Sequence, residues 1–186
     1  IKSGTPCLWC GVDKDADAVI SAKAKEINSP FYKVDHDATQ VKKFDLEGSV
    51  IDFERYKNIY IPLLGEYQPF NASNVLSAID ILKAQGIAIS DDAVRVGLSR
   101  VVWHARFEIL SKNPLIIADG GHNPEGIDAA VESAKTYFKE KIQLMLVSKI
   151  LEGSLDGTYE PYGPLFWYIP EYELYEYGPG LCGQYL

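Results

Sequence analysis

Short apolar runs alternate with helical segments along this chain, and the alternation leaves few architectures open. Residues 5–10 form an apolar run closed by Gly11, residues 13–27 have helical character, and residues 31–34 follow as a second apolar run. A strand, a helix and a second strand in succession are typical of a β-α-β unit with parallel strands. The sequence therefore predicts an α/β fold with a parallel-rich sheet.

A second unit of the same kind follows later in the chain. Residues 115–118 form an apolar strand that enters the turn Asp119-Gly-Gly-His-Asn-Pro124, residues 127–137 read as a helix, and residues 142–147 as another strand. We therefore expect two α/β lobes joined between Arg100 and Pro114.

The middle of the chain predicts a hairpin and two helices. Residues 48–53 and 58–62 are consistent with paired strands, and residues 71–85 have the apolar period of a packed helix, with Asn71 as its default N-cap. Ser90 favours the start of another helix that extends toward the tryptophan-containing segment. Residues 158–186 are rich in tyrosine and show no clean period, so no element is predicted there.

Charge and hydropathy narrow the class of protein. Eighteen basic and twenty-six acidic residues leave a net charge of -8, which argues against binding to nucleic acid. The apolar runs are much shorter than the roughly 20 residues that span a bilayer, so no membrane segment is predicted. Nothing near Ile1 resembles a targeting peptide, so we expect a cytoplasmic protein. We also expect a monomer.

Cys7 and Cys10 have the spacing of a redox pair or of half a zinc site. The remaining candidate ligands are scattered along the sequence, so we assign no metal ligand. The alternative is that both cysteines flank a buried strand as small hydrophobic residues.

The glycine-rich turn that begins at Asp119 has the position of a ligand site, because ligands of open α/β sheets bind beyond the carboxyl ends of the strands. Gly120 and Gly121 would allow close approach, and the following helix N-terminus offers N–H groups to an anion. The alternative is ordinary loop behaviour, with Asp119 capping the turn and Asn123 preceding a proline.

Two further segments carry candidate side chains. Arg106 either meets a phosphate or pairs with Glu108 two residues later. Gln68 and Asn71 either read the edge of an adenine ring or serve the start of a helix.

In this order the segments Leu63–Ala72, Trp103–Glu108 and Asp119–Pro124 resemble the folylpolyglutamate synthase and dihydrofolate synthase family of the Mur ligase superfamily. The family shows Leu-x-Gly-x-His-Gln-x-x-Asn-Ala, then Trp-x-x-Arg-x-Glu, then Asp-Gly-Ala-His-Asn-Pro. The opening residues Ile1–Pro6 also resemble a turn of its central ATPase domain.

The resemblance implies an ATP-dependent ligase of folate and one-carbon metabolism that uses magnesium and adds L-glutamate to a folate. Residues 1–104 would be the C-terminal part of the central ATP-binding domain of a Mur-ligase-type fold. Residues 105–186 would be all or part of a Rossmann-like C-terminal domain. ATP, folate and L-glutamate are the small-molecule ligands implied.

The same resemblance implies the nucleotide contacts. Asn71 would face the adenine, Arg106 the phosphates, and Asp119 with His122 the ribose and the adjoining end of the nucleotide. Gln68 is a weaker carry-over.

Departures from the family pattern limit what the resemblance implies. Tyr67 stands where the family usually has His, and His104-Ala105 stands where it usually has Pro-Gly. The sequence has no Gly-x-x-x-x-Gly-Lys-Ser/Thr motif to cradle a triphosphate, and the family's magnesium ligands belong upstream. We therefore expect a fragment with no catalytic residues and no activity alone. The alternatives are a non-catalytic nucleotide-binding module and another Mur-type ligase.

Overall fold

A computed structural model describes residues 1–113, 115–121, 123–138, 165–168 and 174–177. The chain divides into two compact units, Ile1–Trp103 and His104–Leu186. The strand predicted at residues 142–147 lies outside the described residues. Within those residues no helix is long and apolar enough to cross a membrane.

The first unit opens with the predicted β-α-β arrangement, which is confirmed. Strand β1 (Cys7–Trp9), helix α1 (Lys14–Glu26) and strand β2 (Phe31–Lys33) follow in order, and the two strands pair in parallel. The Asp13 side chain accepts a hydrogen bond of 2.7 Å from the N–H of Ala16 and so fixes the start of α1.

A three-stranded antiparallel sheet follows a 3-10 turn at His36–Ala38. Its strands are β3 (Thr39–Asp45), β4 (Gly48–Phe53) and β5 (Tyr56–Ile61), with β4 in the centre. The predicted hairpin corresponds to β4 and β5 and is confirmed, whereas β3 was not predicted.

Helices α2 (Gln68–Ala84) and α3 (Asp91–Ser99) pack beside this sheet. Helix α2 begins three residues earlier than predicted: Tyr67 occupies the N-cap position and a proline lies in the first turn. Asn71 as N-cap is therefore wrong, because proline has the backbone angle of a helical first turn and no N–H to leave unpaired. Ser90 caps α3 as predicted, accepting from the N–H of Ala93.

The core of the first unit lies between the antiparallel sheet and these helices. Ile51, Phe53 and Ile59 of the sheet pack with Leu76 of α2 and Val94 of α3, all at most 4% exposed. The alternation of β5 and one face of α2 supply this apolar surface.

The described part of the second unit contains a hairpin, a helix and a second hairpin. Strands β6 (Glu108–Lys112) and β7 (Leu115–Ala118) pair antiparallel, helix α4 spans Pro124–Tyr137, and β8 (Leu165–Tyr168) pairs antiparallel with β9 (Leu174–Tyr177). The strand at 115–118 and the helix are confirmed, and β6 was not predicted. Both described strand pairs here are antiparallel, so the parallel pairing observed is that of β1 with β2.

Candidate functional site

The loop that contains Arg106 is bonded to the glycine-rich turn after β7. The N–H of Phe107 donates to Asp119 Oδ2 at 2.8 Å, and the N–H of Gly120 donates to the carbonyl of Ala105 at 2.7 Å. Asp119 Oδ1 accepts from the N–H of Gly121 at 2.7 Å. Two segments that the sequence analysis singled out separately are therefore one structure, and Asp119 is the side chain that joins them.

Arg106 lies between two residues in the left-handed backbone region. Ala105 has φ 56° and Phe107 has φ 48°, which side chains with a Cβ rarely adopt. Phe107 is 2% exposed, and its ring stacks on Tyr137 of α4 with ring centroids 5.6 Å apart. The Arg106 side chain is exposed. The backbone thus buries Phe107 and presents Arg106 outward.

Glu108 does not pair with Arg106, contrary to one of the two sequence interpretations. Its carboxylate accepts from the N–H of Ala105 at 2.8 Å and lies 2.8 Å from His104 Nδ1. These contacts, first the backbone N–H and then the histidine, hold the pKa of Glu108 below its usual value. Among the residues that the structure describes, Arg106 forms no ion pair, so its charge is available to a ligand.

The backbone around the turn is closely packed. A Cβ on Gly121 would lie 3.0 Å from the carbonyl carbon of Gly126, and one on Gly120 would lie 3.2 Å from the carbonyl oxygen of Ala105. A side chain at either position would therefore be crowded by neighbouring backbone, which favours glycine at both positions.

Three backbone N–H groups of this turn and of the helix that follows donate hydrogen bonds within the protein. Those of Gly120 and Gly121 donate to Ala105 and Asp119, and that of Gly126 donates to the N-cap side chain of Asn123 at 2.8 Å. These three N–H groups are therefore satisfied within the protein and are not offered to an anion. His122 lies outside the described residues.

In the first unit, Gln68 and Asn71 lie together in the first turn of α2. Gln68 is 5% exposed and its Oε1 accepts from Asn71 Nδ2 at 3.3 Å, whereas Asn71 is exposed. Phe70, which the sequence analysis did not single out, is 44% exposed and meets the ring of His36 edge-on at a centroid distance of 5.7 Å. Phe70 occupies an unspecified position of the Leu63–Ala72 motif and His36 lies outside the motifs, so the motifs alone do not indicate this pair.

Cys7 and Cys10 are poorly placed for a disulfide. Three residues along an extended strand span roughly 10 Å, beyond the ~7 Å between Cα atoms that a disulfide bridges. Both are free and half-buried, and burial followed by the nearby Cys7 raises the pKa of the Cys10 thiol. The buried-strand interpretation fits better than a redox pair. Within the described part of the chain, no group of three His, Cys, Asp or Glu residues is arranged to hold a metal ion.

Comparison with known proteins decides the family. The chain is 30% identical over 151 residues to the folylpolyglutamate synthase of Lacticaseibacillus casei, covering 78% of this chain and 35% of that relative. It is 33% identical over 147 residues to the dihydrofolate synthase/folylpolyglutamate synthase of Bacillus subtilis. The chain belongs to the folylpolyglutamate and dihydrofolate synthase family. No family model matches the sequence.

Solved structures of this family have the same fold. The folylpolyglutamate synthase of Thermotoga maritima superposes with a TM-score of 0.66 at 32% identity, covering 76% of this chain and 34% of its own. A complex of folylpolyglutamate synthase with AMPPCP and folate also gives 0.66, at 29% identity over 76% of this chain. The α/β, Mur-ligase-type fold class is confirmed. The chain spans about a third of the length of these relatives.

A relative outside the folate branch also matches. The UDP-N-acetylmuramate–L-alanine ligase of Prochlorococcus marinus is 33% identical over 107 residues, covering 56% of this chain and 20% of the relative. The similarity therefore extends into the wider group of amide-forming ligases.

Proposed function

We propose that this chain is the adenosine-handling part of an ATP-dependent ligase that joins L-glutamate to a folate. Relatives named folylpolyglutamate synthase match three quarters or more of the chain, and one solved relative holds AMPPCP and folate. In the complete enzyme the products would be the amide, ADP and phosphate. The observation that carries the proposal within this chain is an exposed Arg106 that forms no ion pair with any described residue, in a loop bonded to Asp119.

The resemblance to the family assigns a nucleotide contact to each of the candidate residues. Arg106 would meet the phosphates, because a guanidinium forms strong charge-assisted hydrogen bonds with phosphate oxygens. Asn71 would read the adenine edge with its exposed amide, and Gln68 beneath it would orient that amide. Asp119 and His122 would contact the ribose. Each Asp119 oxygen already accepts one N–H and retains a further lone pair for a hydroxyl.

The chemical step needs groups that this chain does not supply. Activating a carboxylate as an acyl phosphate requires a cradle for the triphosphate and charge neutralisation by magnesium. The sequence has no phosphate-binding glycine loop, and the described residues do not form a magnesium site. We infer a cytoplasmic monomer in which residues 1–104 end the ATP-binding domain and residues 105–186 begin the C-terminal domain, inactive by itself.

The test is a glutamate-addition assay on the purified chain with ATP, magnesium, a tetrahydrofolate or dihydropteroate substrate and L-glutamate. We expect no amide product, together with saturable ATP binding in a nuclear magnetic resonance titration. Arg106→Ala should weaken ATP binding roughly 10-fold or more, as expected for loss of one charged hydrogen bond. Glutamate addition by this chain, or ATP affinity unchanged by Arg106→Ala, would contradict the proposal.

A Mur-type ligase with a different acceptor is the second candidate, favoured by the similarity to the muramate ligase. Titrations with a folate and with UDP-N-acetylmuramate separate the two, since the folate reading expects shifts with the folate alone. Binding of ATP with neither acceptor would support a non-catalytic nucleotide-binding module.

A further inference from the structure

We propose that Glu108 is a positioning residue for Arg106, an inference that rests on the proposed contact of Arg106 with the nucleotide phosphates. Its carboxylate spans back along the loop, with Oε2 accepting from the N–H of Ala105 and Oε1 lying 2.8 Å from His104 Nδ1. Glu108 would act through the backbone that precedes Arg106 without touching the nucleotide.

The backbone that carries Arg106 needs to be held. A left-handed conformation is unfavourable for residues with a Cβ and persists only where surrounding contacts fix it. Ala105 and Phe107 both adopt it, one on each side of Arg106. The direction of the Arg106 side chain therefore depends on the contacts that hold these two residues.

Those contacts come from two sides. Asp119 accepts from the N–H of Phe107, and Gly120 donates to the carbonyl of Ala105, both from the glycine-rich turn. The N–H of Ala105 is satisfied by Glu108. Two of these three contacts therefore come from the glycine-rich turn, and the third comes from Glu108, the first residue of β6.

The use of Glu108 also preserves the charge of Arg106. A carboxylate two residues away is an obvious ion-pair partner, and such a pair would compete with a phosphate for the guanidinium. Because the Glu108 oxygens are directed to Ala105 and His104, the backbone next to Arg106 is held while the guanidinium is not neutralised by Glu108. Preorganisation of this kind lowers the entropy lost when a ligand binds.

The test is a double-mutant cycle for ATP binding on the full 186-residue chain, read by nuclear magnetic resonance titration. Glu108→Ala should weaken ATP binding roughly 3- to 10-fold, as loss of an ordering contact is expected to do. In the Arg106→Ala background the same change should have no further effect. Glu108→Gln keeps an acceptor for the N–H of Ala105 and should restore most of the affinity. Glu132→Ala, an exposed glutamate paired with Lys135 on α4, is the matched control and should leave it unchanged.

The outcomes distinguish the positioning role of Glu108 from the proposed function on which it rests. If the wild-type chain does not bind ATP, the proposed function and the role of Glu108 are both overturned. If the chain binds ATP and Glu108→Ala either leaves the affinity unchanged or adds its full loss to that of Arg106→Ala, only the positioning role is overturned. If Glu108→Ala does not fold, Glu108→Gln decides, and a loss as large as that of Arg106→Ala excludes a role through the Ala105 N–H.

Discussion

Ala105 illustrates at the scale of one residue how the candidate site is strained. It has φ 56° and is exposed, so its methyl group adds little packing while disfavouring the backbone it adopts. We predict that Ala105→Gly raises the free energy of unfolding by about 0.5–1 kcal/mol, the left-handed penalty less the entropy of glycine. Denaturant unfolding measures it.

The control for this substitution is Ala129→Gly in the middle of α4. There the backbone is helical, so the same change should lower the free energy of unfolding by about 1 kcal/mol. Equal effects at the two positions would show that the left-handed conformation of residue 105 is not a source of strain.

Gly121 and Gly97 form a second contrasting pair. A Cβ at Gly121 would contact the backbone of Gly126 at 3.0 Å, whereas one at Gly97 in α3 meets nothing within 4 Å. Gly121→Ala should destabilise the chain by about 1–3 kcal/mol, because backbone must move. Gly97→Ala should stabilise it by about 0.5–1 kcal/mol through helix propensity. Thermal unfolding of both variants checks the opposite signs, and a neutral Gly121→Ala would refute the close approach.

At the scale of elements, Tyr56 ties β5 to α2. Its hydroxyl donates to Asp80 at 2.6 Å and accepts from Arg55 at 2.7 Å, and the ring is 3% exposed. Burial, followed by the bond to Asp80, raises the pKa of Tyr56. Tyr56→Phe should cost about 1–2 kcal/mol, because it removes two hydrogen bonds of a buried hydroxyl, both of them to charged groups.

Tyr60→Phe on the same strand is the control for Tyr56→Phe. The Tyr60 hydroxyl donates to the carbonyl of Glu47 at 2.6 Å, but the residue is 41% exposed, so water replaces the lost bond. Its loss should be within about 0.5 kcal/mol of zero. Equal losses at Tyr56 and Tyr60 would mean that burial of the network does not matter.

Asp52 gives the antiparallel sheet a dependence on pH. It pairs with Lys42 at 2.7 Å and accepts from the N–H of Asn58 at 2.8 Å, and these contacts hold its pKa below the usual value. A lowered folded pKa means that the stabilisation is present above the unfolded value near pH 4 and is lost as the pH falls through the folded one. The stability difference between wild type and Asp52→Asn should therefore shrink below about pH 4, as urea unfolding at several pH values would measure. A constant difference would contradict it.

The elements that were predictable are those that a local pattern specifies. Helix α1 and its flanking strands follow from a capping aspartate, a helical stretch and two apolar runs. Strand β3 was missed because its central residues are exposed and include two lysines, so alternation is weak. Strand β6 is five residues long and forms by pairing with β7, which no pattern within residues 108–112 indicates.

At the scale of the whole molecule, the sequence predicted the family because three motifs occur in a fixed order. It did not predict how the motifs work together. Asp119 bonds to the backbone of Phe107, and Glu108 bonds to Ala105 instead of Arg106. Both contacts depend on the left-handed conformation of Ala105 and Phe107, which residue type does not predict. Ala105, where the family usually has glycine, was a signal of unusual backbone, and the conformation itself came only from the structure.

The segment that connects the two units is exposed. Residues 100–107 lie between the end of α3 and the start of β6, and the side chains of Val102, Trp103 and His104 are 71%, 62% and 81% exposed. Proteases cut exposed segments whose backbone is free to rearrange. Arg106 is exposed too, but hydrogen bonds from Glu108, Asp119 and Gly120 hold the backbone on either side of it. At Arg100, by contrast, the backbone N–H donates one long hydrogen bond of 3.4 Å to the carbonyl of Gly97.

Within residues 1–138, trypsin should therefore cut first after Arg100, releasing a fragment of residues 1–100 that mass spectrometry identifies. Glu108→Ala frees the N–H of Ala105 and should add cleavage after Arg106, while Glu132→Ala should not. First cleavage after Arg106 in the wild-type chain would mean that the backbone of this loop is not held in place. That result would contradict a preorganised Arg106.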